Sequence, residues 1–335
     1  MSKPIEIDGD YFAGKLIKVF RIEEGIVDPT SFAYNIRYLT EEGNRPPYWM
    51  EKWLAFINDP RVSEVSALVV GADNEQVVEG ESCAQQIESL VSGRKKLPAL
   101  TSLFFEGNNS MYEQEEDRLF SLPDVSPIFL AFPQLEVLGF YGWTTGSGYE
   151  FQIGTIQSEV LRALTIATAW LEPRILHDLW RAYLPALEHL ELWLHDDGDP
   201  HPPTTDDLEP LFSGKLFPRL RSLTLCLSSI EDDLAVALAA SPLLERLKVL
   251  ELSKGILTDR GAQALLASSA LRQLEKLVIR YHYCSDEMVQ QLRALPFEVE
   301  IDEQQDVMNS WIKGKPELYA HFHVSLPGVG LSHDV

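Results

Sequence analysis

Two copies of one short pattern lie in residues 247–292, LKVLELSKGILTDRGAQALLASSALRQLEKLVIRYHYCSDEMVQQL. In each copy an opening leucine is followed three residues later by a second leucine and two residues after that by an apolar residue: Leu247-Leu250-Leu252 and Leu274-Leu277-Ile279. The last two apolar positions are two residues apart, which is the side-chain period of a β-strand. Each copy is therefore predicted to be a strand that presents its apolar residues on one face.

The same pattern recurs along most of the chain. Its seven copies open at Leu100, Leu135, Leu161, Leu187, Leu220, Leu247 and Leu274, at spacings of 35, 26, 26, 33, 27 and 27 residues. Most of these spacings fall within the roughly 20–29 residues of leucine-rich repeats, and the longer ones indicate insertions. A weaker copy, Val65-Leu68-Val70, precedes the set, and Val299 and Ile301 form the apolar pair of a terminal copy.

Segments with helical spacing lie between the strands. The clearest are 232–244, 258–270 and 285–295, and two of them begin with the N-cap candidates Thr258 and Ser285. A single strand and helix cannot bury their apolar faces alone, so neighbouring units must stack. The predicted fold is an α/β leucine-rich-repeat solenoid (a horseshoe) with a concave parallel sheet and convex helices.

The two ends of the chain depart from the repeat. Residues 1–60 are predicted to form an N-terminal cap from two strand-like runs, 15–22 and 31–39, and a helix-like run, 48–58. Residues 61–302 form the solenoid. Residues 303–335 are predicted to be a C-terminal cap and tail, in which four apolar side chains fold over the last repeat: Trp311, Leu318, Tyr319 and Phe322.

The amino-acid composition narrows the classes of molecule that we expect this protein to bind. The chain has 335 residues, 45% of them hydrophobic, and carries 51 acidic against 28 basic residues, for a net charge of −23. This charge disfavours nucleic acid and either favours a basic protein partner or serves solubility alone. The three distant cysteines do not form a disulfide framework, and the N-terminus has no signal-peptide pattern. No apolar run reaches membrane-spanning length, so we expect a cytoplasmic protein that does not bind membranes.

The repeats resemble the ribonuclease-inhibitor-like branch of leucine-rich-repeat proteins, as residues 247–292 show best. The whole chain is more similar to a group of uncharacterised bacterial cytoplasmic leucine-rich-repeat proteins. The stretches that carry this second similarity are LPDVSPIFLAFPQLEVL, LPALEHLELWL and VEIDEQQD. The resemblance implies the fold and the compartment, and it implies no enzymatic activity.

Two acidic insertions, 108–129 and 195–214, are predicted to be loops that either contribute to a binding face or are simply solvated. The second insertion contains His195 and His201 among aspartates, which suggests a metal-binding protein or metal-dependent enzyme as an alternative function. Its spacing matches no standard calcium or zinc site, so no cofactor is expected. His282 and Cys284 share one strand face, but nothing marks the oxyanion hole that a nucleophilic cysteine needs.

The main hypothesis is a non-enzymatic scaffold that binds a protein partner on its concave face, where the acidic charge favours a basic partner. Strand alternation places acidic and aromatic side chains between the inward leucines, and exposed aromatic residues suit an interface. Tyr141 and Trp193 are expected to be exposed. The predicted binding residues are Phe104, Glu106, Tyr141, Trp143, His189, Glu191, Trp193, Glu251 and Arg280. A structural subunit of a larger assembly is a further alternative, and the oligomeric state stays open.

Overall fold

A computed structural model describes residues 11–37, 49–71, 83–106, 122–143, 151–169, 171–195 and 202–305. The chain forms two compact units that divide between Thr165 and Ile166. Strand β7 (Ala163–Ala169) runs across this division. Within each unit, strands that are consecutive in the sequence are also neighbours in the sheet.

The first unit begins with a hairpin and continues as a parallel sheet. Its strands are β1 (Tyr11–Phe12), β2 (Lys15–Val19), β3 (Phe32–Ile36), β4 (Ala67–Gly71), β5 (Ser102–Glu106) and β6 (Val137–Trp143). β1 pairs antiparallel with β2, and each later pair is parallel. Its helices are α1 (Trp49–Ile57), α2 (Ala84–Gly93) and α3 (Ser126–Ala131).

The structure confirms the two strands and the helix expected near the N-terminus, as β2, β3 and α1. It also adds their pairing, which the sequence pattern did not suggest. β2 and β3 extend the parallel sheet directly from β4, so these residues continue the repeat sheet, and the hairpin partner β1 begins it. The domain boundary near residue 60 stays a prediction, and residues 306–335 lie outside the described part of the chain.

The second unit alternates strand and helix. Its strands after β7 are β8 (His189–Trp193), β9 (Ser222–Cys226), β10 (Val249–Ser253), β11 (Lys276–His282) and β12 (Glu298–Gln304). Its helices are α4 (Pro173–Trp180), α5 (Thr205–Phe212), α6 (Glu231–Ala239), α7 (Asp259–Ala267) and α8 (Asp286–Arg293). The pairs from β8 to β12 are all parallel.

The leucines of successive repeats lie in register. In the second unit the row is Leu190, Leu223, Leu250 and Leu277, each at most 2% exposed. In the first unit Leu68, Leu103 and Leu138 form a corresponding row with no exposed surface. We call each row a leucine spine. These rows confirm the predicted α/β leucine-rich-repeat fold.

Helix starts follow the capping signals, with one correction. The Thr258 side chain caps α7 and the Ser285 side chain caps α8, as predicted. The second acidic insertion, expected to be a loop, instead contains α5. Thr204 and Asp207 form a capping box there, so two of its acids (Asp206 and Asp207) lie in the first turn of a helix, where they favour helix formation. The first insertion likewise ends in a helix, α3.

Acidic side chains connect one helix to the next in the second unit. Asp232 of α6 accepts hydrogen bonds from the backbone N–H groups of Thr258 and Gly261, both at 2.9 Å. Asp259 of α7 accepts one from the backbone of Ser285 at 2.7 Å. The first backbone N–H groups of a helix have no hydrogen-bond acceptor within that helix. Each acid thus accepts hydrogen bonds from such groups at the start of the following helix. Part of the negative charge of the chain therefore stabilises the stacking of repeats.

A left-handed residue recurs at one equivalent position in β9 to β12, near the end of the strand or directly after it. The φ angles there are between 57° and 63° in four non-glycine residues: Leu227, Lys254, Tyr281 and Glu303. Left-handed backbone costs such residues about 1–2 kcal/mol each. The regular recurrence indicates that the stacking of repeats imposes this corner geometry.

We expect Leu250→Ala to lower the free energy of unfolding by about 2–5 kcal/mol, because it leaves a cavity in the leucine spine. Val236→Ala, at a 42% exposed position of α6, is the matched control and should change it by less than about 0.5 kcal/mol. Urea unfolding measures both. Equal effects of the two substitutions would contradict the central role of the spine.

Candidate functional site

The candidate binding surface consists of the strand side chains that alternate with the leucine spines. We call it the front face of each unit. In the first unit it comprises Asn35, Val69, Phe104, Gly139, Tyr141 and Thr165. In the second unit its central row is Glu191, Thr224, Glu251, Val278 and Glu300, and the next row is Trp193, Cys226, Ser253, Arg280 and Asp302.

The front face of the first unit is buried. Phe104 is 5% and Tyr141 7% exposed, which corrects the expectation that these side chains are available to a partner. The Phe12 ring packs edge-on against Phe104, with 5.9 Å between centroids. On the adjacent strand, a Cβ at Gly139 would lie 2.3 Å from the Phe104 ring, so the ring occupies the space above this glycine. Strand alternation predicted the direction of these side chains correctly, but it carries no information about what covers them.

Two predicted binding residues cannot be placed as side chains. Glu106 ends β5 and Trp143 ends β6, as the strand pattern required. Their side chains lie outside the described part of the structure, as does Trp170, which follows β7. Their binding role stays a prediction.

The front face of the second unit is partly accessible and polar. His189, Glu191, Thr224 and Glu251 are half-buried, and Arg280 is exposed. The strands hold these side chains on a grid, because neighbouring strands are about 4.8 Å apart and side chains on one face recur every second residue. The structure therefore brings together four of the predicted binding residues: His189, Glu191, Glu251 and Arg280.

Ion pairs neutralise the end of this surface at β11 and β12. Lys276 Nζ lies 3.1 Å from Glu298 Oε1 and 2.5 Å from Glu300 Oε1, and an Arg280 guanidinium nitrogen lies 2.6 Å from Glu300 Oε2. The hydrogen bond from Lys276, followed by that from Arg280, lowers the pKa of Glu300 despite partial burial. This acid is thus fixed by two cations of its own chain. Lys276 and Glu300 are not among the predicted binding residues, although alternation from Leu277 and Ile301 places both on this face.

Trp193 is buried, not exposed as predicted. It is 6% exposed. Its indole Nε1 donates a hydrogen bond to Glu191 Oε1 at 2.8 Å, and Lys254 Nζ lies 5.3 Å from the centre of its ring. Interactions with two charged neighbours therefore hold the indole close to the sheet instead of leaving it projecting into solvent.

Most of the segment on which the metal hypothesis rests lies outside the described residues. His195 is 2% exposed, whereas residues 196–201, including His201, lie outside the described part of the chain. Among the residues that the structure describes, no three His, Cys, Asp or Glu side chains form a cluster suited to a metal ion. The same described residues contain no helix with the length and apolar character needed to cross a membrane.

His282 and Cys284 lie together, as their spacing predicted, but in a form unsuited to nucleophilic catalysis. Both are 1% exposed, and the backbone N–H of Cys284 donates to His282 Nδ1 at 3.2 Å. Burial raises the pKa of the Cys284 thiol to about 12 and lowers the pKa of His282. A protonated, buried thiol is a poor nucleophile, so this pair serves packing.

An open cavity of the second unit lies beside this pair, where α7 and α8 begin. It has a volume of about 710 Å³ and is lined by Thr258, Asp259, Tyr283, Cys284, Ser285, Asp286, Gln304 and Gln305. Its carboxylates take part in structural hydrogen bonds, Asp259 with the Ser285 backbone and Asp286 with Gln304 Nε2. The cavity does not include any residue of the predicted binding surface.

Glu231 is a fully buried acid at the start of α6. Its Oε2 accepts the backbone N–H of Leu257 at 2.7 Å, and a Cβ at Gly255 would lie 2.4 Å from the same oxygen. Burial raises the pKa of Glu231 to about 8. Glu231 lies between two repeats, so its protonation state affects the free energy of unfolding of the protein.

Comparisons with known proteins support the fold and leave the family open. No protein-family model matches the chain, and no curated protein matches it. The crystal structure of a protein from Bacteroides fragilis is similar, with a TM-score of 0.68 and 25% identity over 81% of this chain and 74% of that one. An internalin from Listeria monocytogenes aligns with a TM-score of 0.36 and 15% identity over 74% of this chain and 57% of its own, which is too low a similarity to support a shared fold or function.

We expect Glu231→Gln to flatten the pH dependence of stability. Because the folded pKa of about 8 exceeds the unfolded value of 4.5, the native state holds a proton that the unfolded state releases. The free energy of unfolding should therefore fall as pH rises between these two values, and the glutamine variant should lack this contribution. Urea titrations across that range, with exposed Glu245→Gln as control, measure it. A pH-independent difference between wild type and Glu231→Gln would contradict this.

We also expect the thiols to resist alkylation in the native state. Cys83, Cys226 and Cys284 are buried, and burial raises the pKa of each thiol above its ordinary value. Iodoacetamide followed by mass spectrometry should label all three in denaturant and leave the native chain unlabelled over minutes. Rapid native labelling of Cys284 would instead support a reactive cysteine.

Proposed function

We propose that this protein is a non-enzymatic scaffold that binds a protein partner on the front face of its second unit. The observation that carries the proposal is the contrast in burial between corresponding positions. Phe104 and Tyr141 of the first unit are buried, whereas Glu191, Thr224 and Glu251 of the second are half-exposed and Arg280 is exposed. The second unit therefore contains the part of the predicted surface that a partner reaches.

The charges on this surface favour a basic partner. Lys276 and Arg280 are paired with Glu298 and Glu300. Glu251, in contrast, forms no direct hydrogen bond or ion pair among the described residues; against the effect of burial, the pKa of nearby Arg280 is raised by its hydrogen bond to Glu300 and then by the charge of Glu251. A carboxylate on a rigid sheet attracts a cationic side chain, and this attraction offsets part of the free energy needed to desolvate both charges. The net charge of −23 adds long-range attraction for the same class of partner.

The remaining features fit a cytoplasmic binding protein related to the ribonuclease-inhibitor-like branch. Its repeats combine a strand with a full helix, as α6, α7 and α8 illustrate. The three cysteines are free thiols, which persist in a reducing compartment. Their burial and high pKa values favour a structural role over catalysis.

Glu251→Lys tests the proposal. The tagged chain should retain a defined set of proteins from lysate of its source cells, and the purified proteins should bind it in calorimetry. We expect Glu251→Lys to weaken this binding at least about ten-fold, because reversal replaces attraction with repulsion. Glu245→Lys makes the same charge change at an exposed position between α6 and β10 and should bind like wild type. Equal binding by both variants would contradict the proposed surface.

A further inference from the structure

A cation of this chain lies over the aromatic ring of Trp193. Lys254 Nζ is 5.3 Å from the ring centroid, while the indole Nε1 is hydrogen-bonded to Glu191. Trp193 ends β8 and Lys254 follows β10, so their contact crosses β9. It does so at Cys226, which is the register partner of both Trp193 and Ser253.

Two carboxylates accompany this contact. Glu191 and Glu251 lie in one row on either side of Thr224, so their backbones are separated by two strand spacings, about 10 Å. After burial, the charges of Glu251 and Glu191 raise the pKa of the Cys226 thiol, and the charge of Lys254 lowers it. All three charged groups thus lie near Cys226, and the aromatic ring, the two acids and the ammonium form one cluster.

Lys254 is held in this cluster by weak interactions. Its side chain is half-exposed, and among the described residues it forms no ion pair. A cation–π contact at a partly exposed position contributes little. Lys254 therefore leaves the ring at low cost when a better cation competes.

An arginine side chain is the cation that suits this cluster best. A guanidinium group is planar, so it stacks on an indole while its edge donates two hydrogen bonds to a carboxylate. An ammonium group has no planar face to stack on the indole and donates from a single nitrogen atom, so it cannot form the bidentate pair. We propose that Trp193, Glu191 and Glu251 form a receptor for an arginine side chain of the partner, and that Lys254 occupies this receptor in the free protein. The proposal rests on the proposed protein-binding function of the front face.

The test uses the full chain and a capped glycine–arginine–glycine peptide. NMR follows the indole N–H signal of Trp193, which Trp193→Phe identifies by its loss. Lys254→Met keeps the length of the side chain and removes the competing charge, so we expect the peptide to bind about five-fold more tightly. Glu251→Gln should weaken binding, and a glycine–lysine–glycine peptide should bind more weakly than the arginine peptide. Lys215→Met, at an exposed lysine outside the front face, should leave binding unchanged.

The inference is overturned if the Trp193 signal does not move at saturating arginine peptide, or if Lys254→Met and Lys215→Met bind it equally. Circular dichroism confirms that each variant is folded. The two proposals fail separately. If Lys254→Met changes peptide binding but no partner is captured in a Glu251-dependent way, the receptor is supported and the scaffold function is contradicted. Partner binding that depends on Glu251 but is the same for Lys254→Met and wild type contradicts the receptor alone.

Discussion

The rest of the structure depends on the stacking of leucines from one strand onto those of the next. Leu223 and Leu250 are register partners with no exposed surface, and neighbouring repeats continue the same row. A shift by one residue would turn every leucine of a strand to the other face, so burial of the spine fixes the register. A fixed register in turn fixes where each alternate side chain stands, and the front face is therefore a consequence of the core.

Because the spine alone specifies the sheet, the front face is free to differ between units. The first unit places Phe104 over Gly139 and covers it with Phe12, which removes this part of the face from any partner. The second unit places Glu191, Thr224 and Glu251 at half-exposed positions. The stacking of repeats is compatible with both arrangements of the front face, since neither changes the buried leucine spine on the other side of the strands.

The negative charge of the chain has more than one role. Asp232 and Asp259 satisfy the starts of the following helices, and Glu300 is paired with Lys276 and Arg280. Glu231 is buried, and its raised pKa favours the neutral acid. These groups contribute to the count of acidic residues but offer little charge to a partner. Glu251 differs from them because it faces partly outward and forms no direct ion pair among the described residues, which makes it the most informative acid of the surface.

Sequence periodicity by itself determined the repeat, the strand positions and the direction of each strand side chain, because these follow from local spacing. It identified Thr258 and Ser285 as helix caps, since a cap is defined within a few residues. Only the tertiary structure decided that Trp193 lies close to the sheet and that Phe104 is covered. Each outcome involves a contact with a residue far away in the sequence, Lys254 in one case and Phe12 in the other. Direction is a property of the strand, whereas exposure is a property of everything that packs around it.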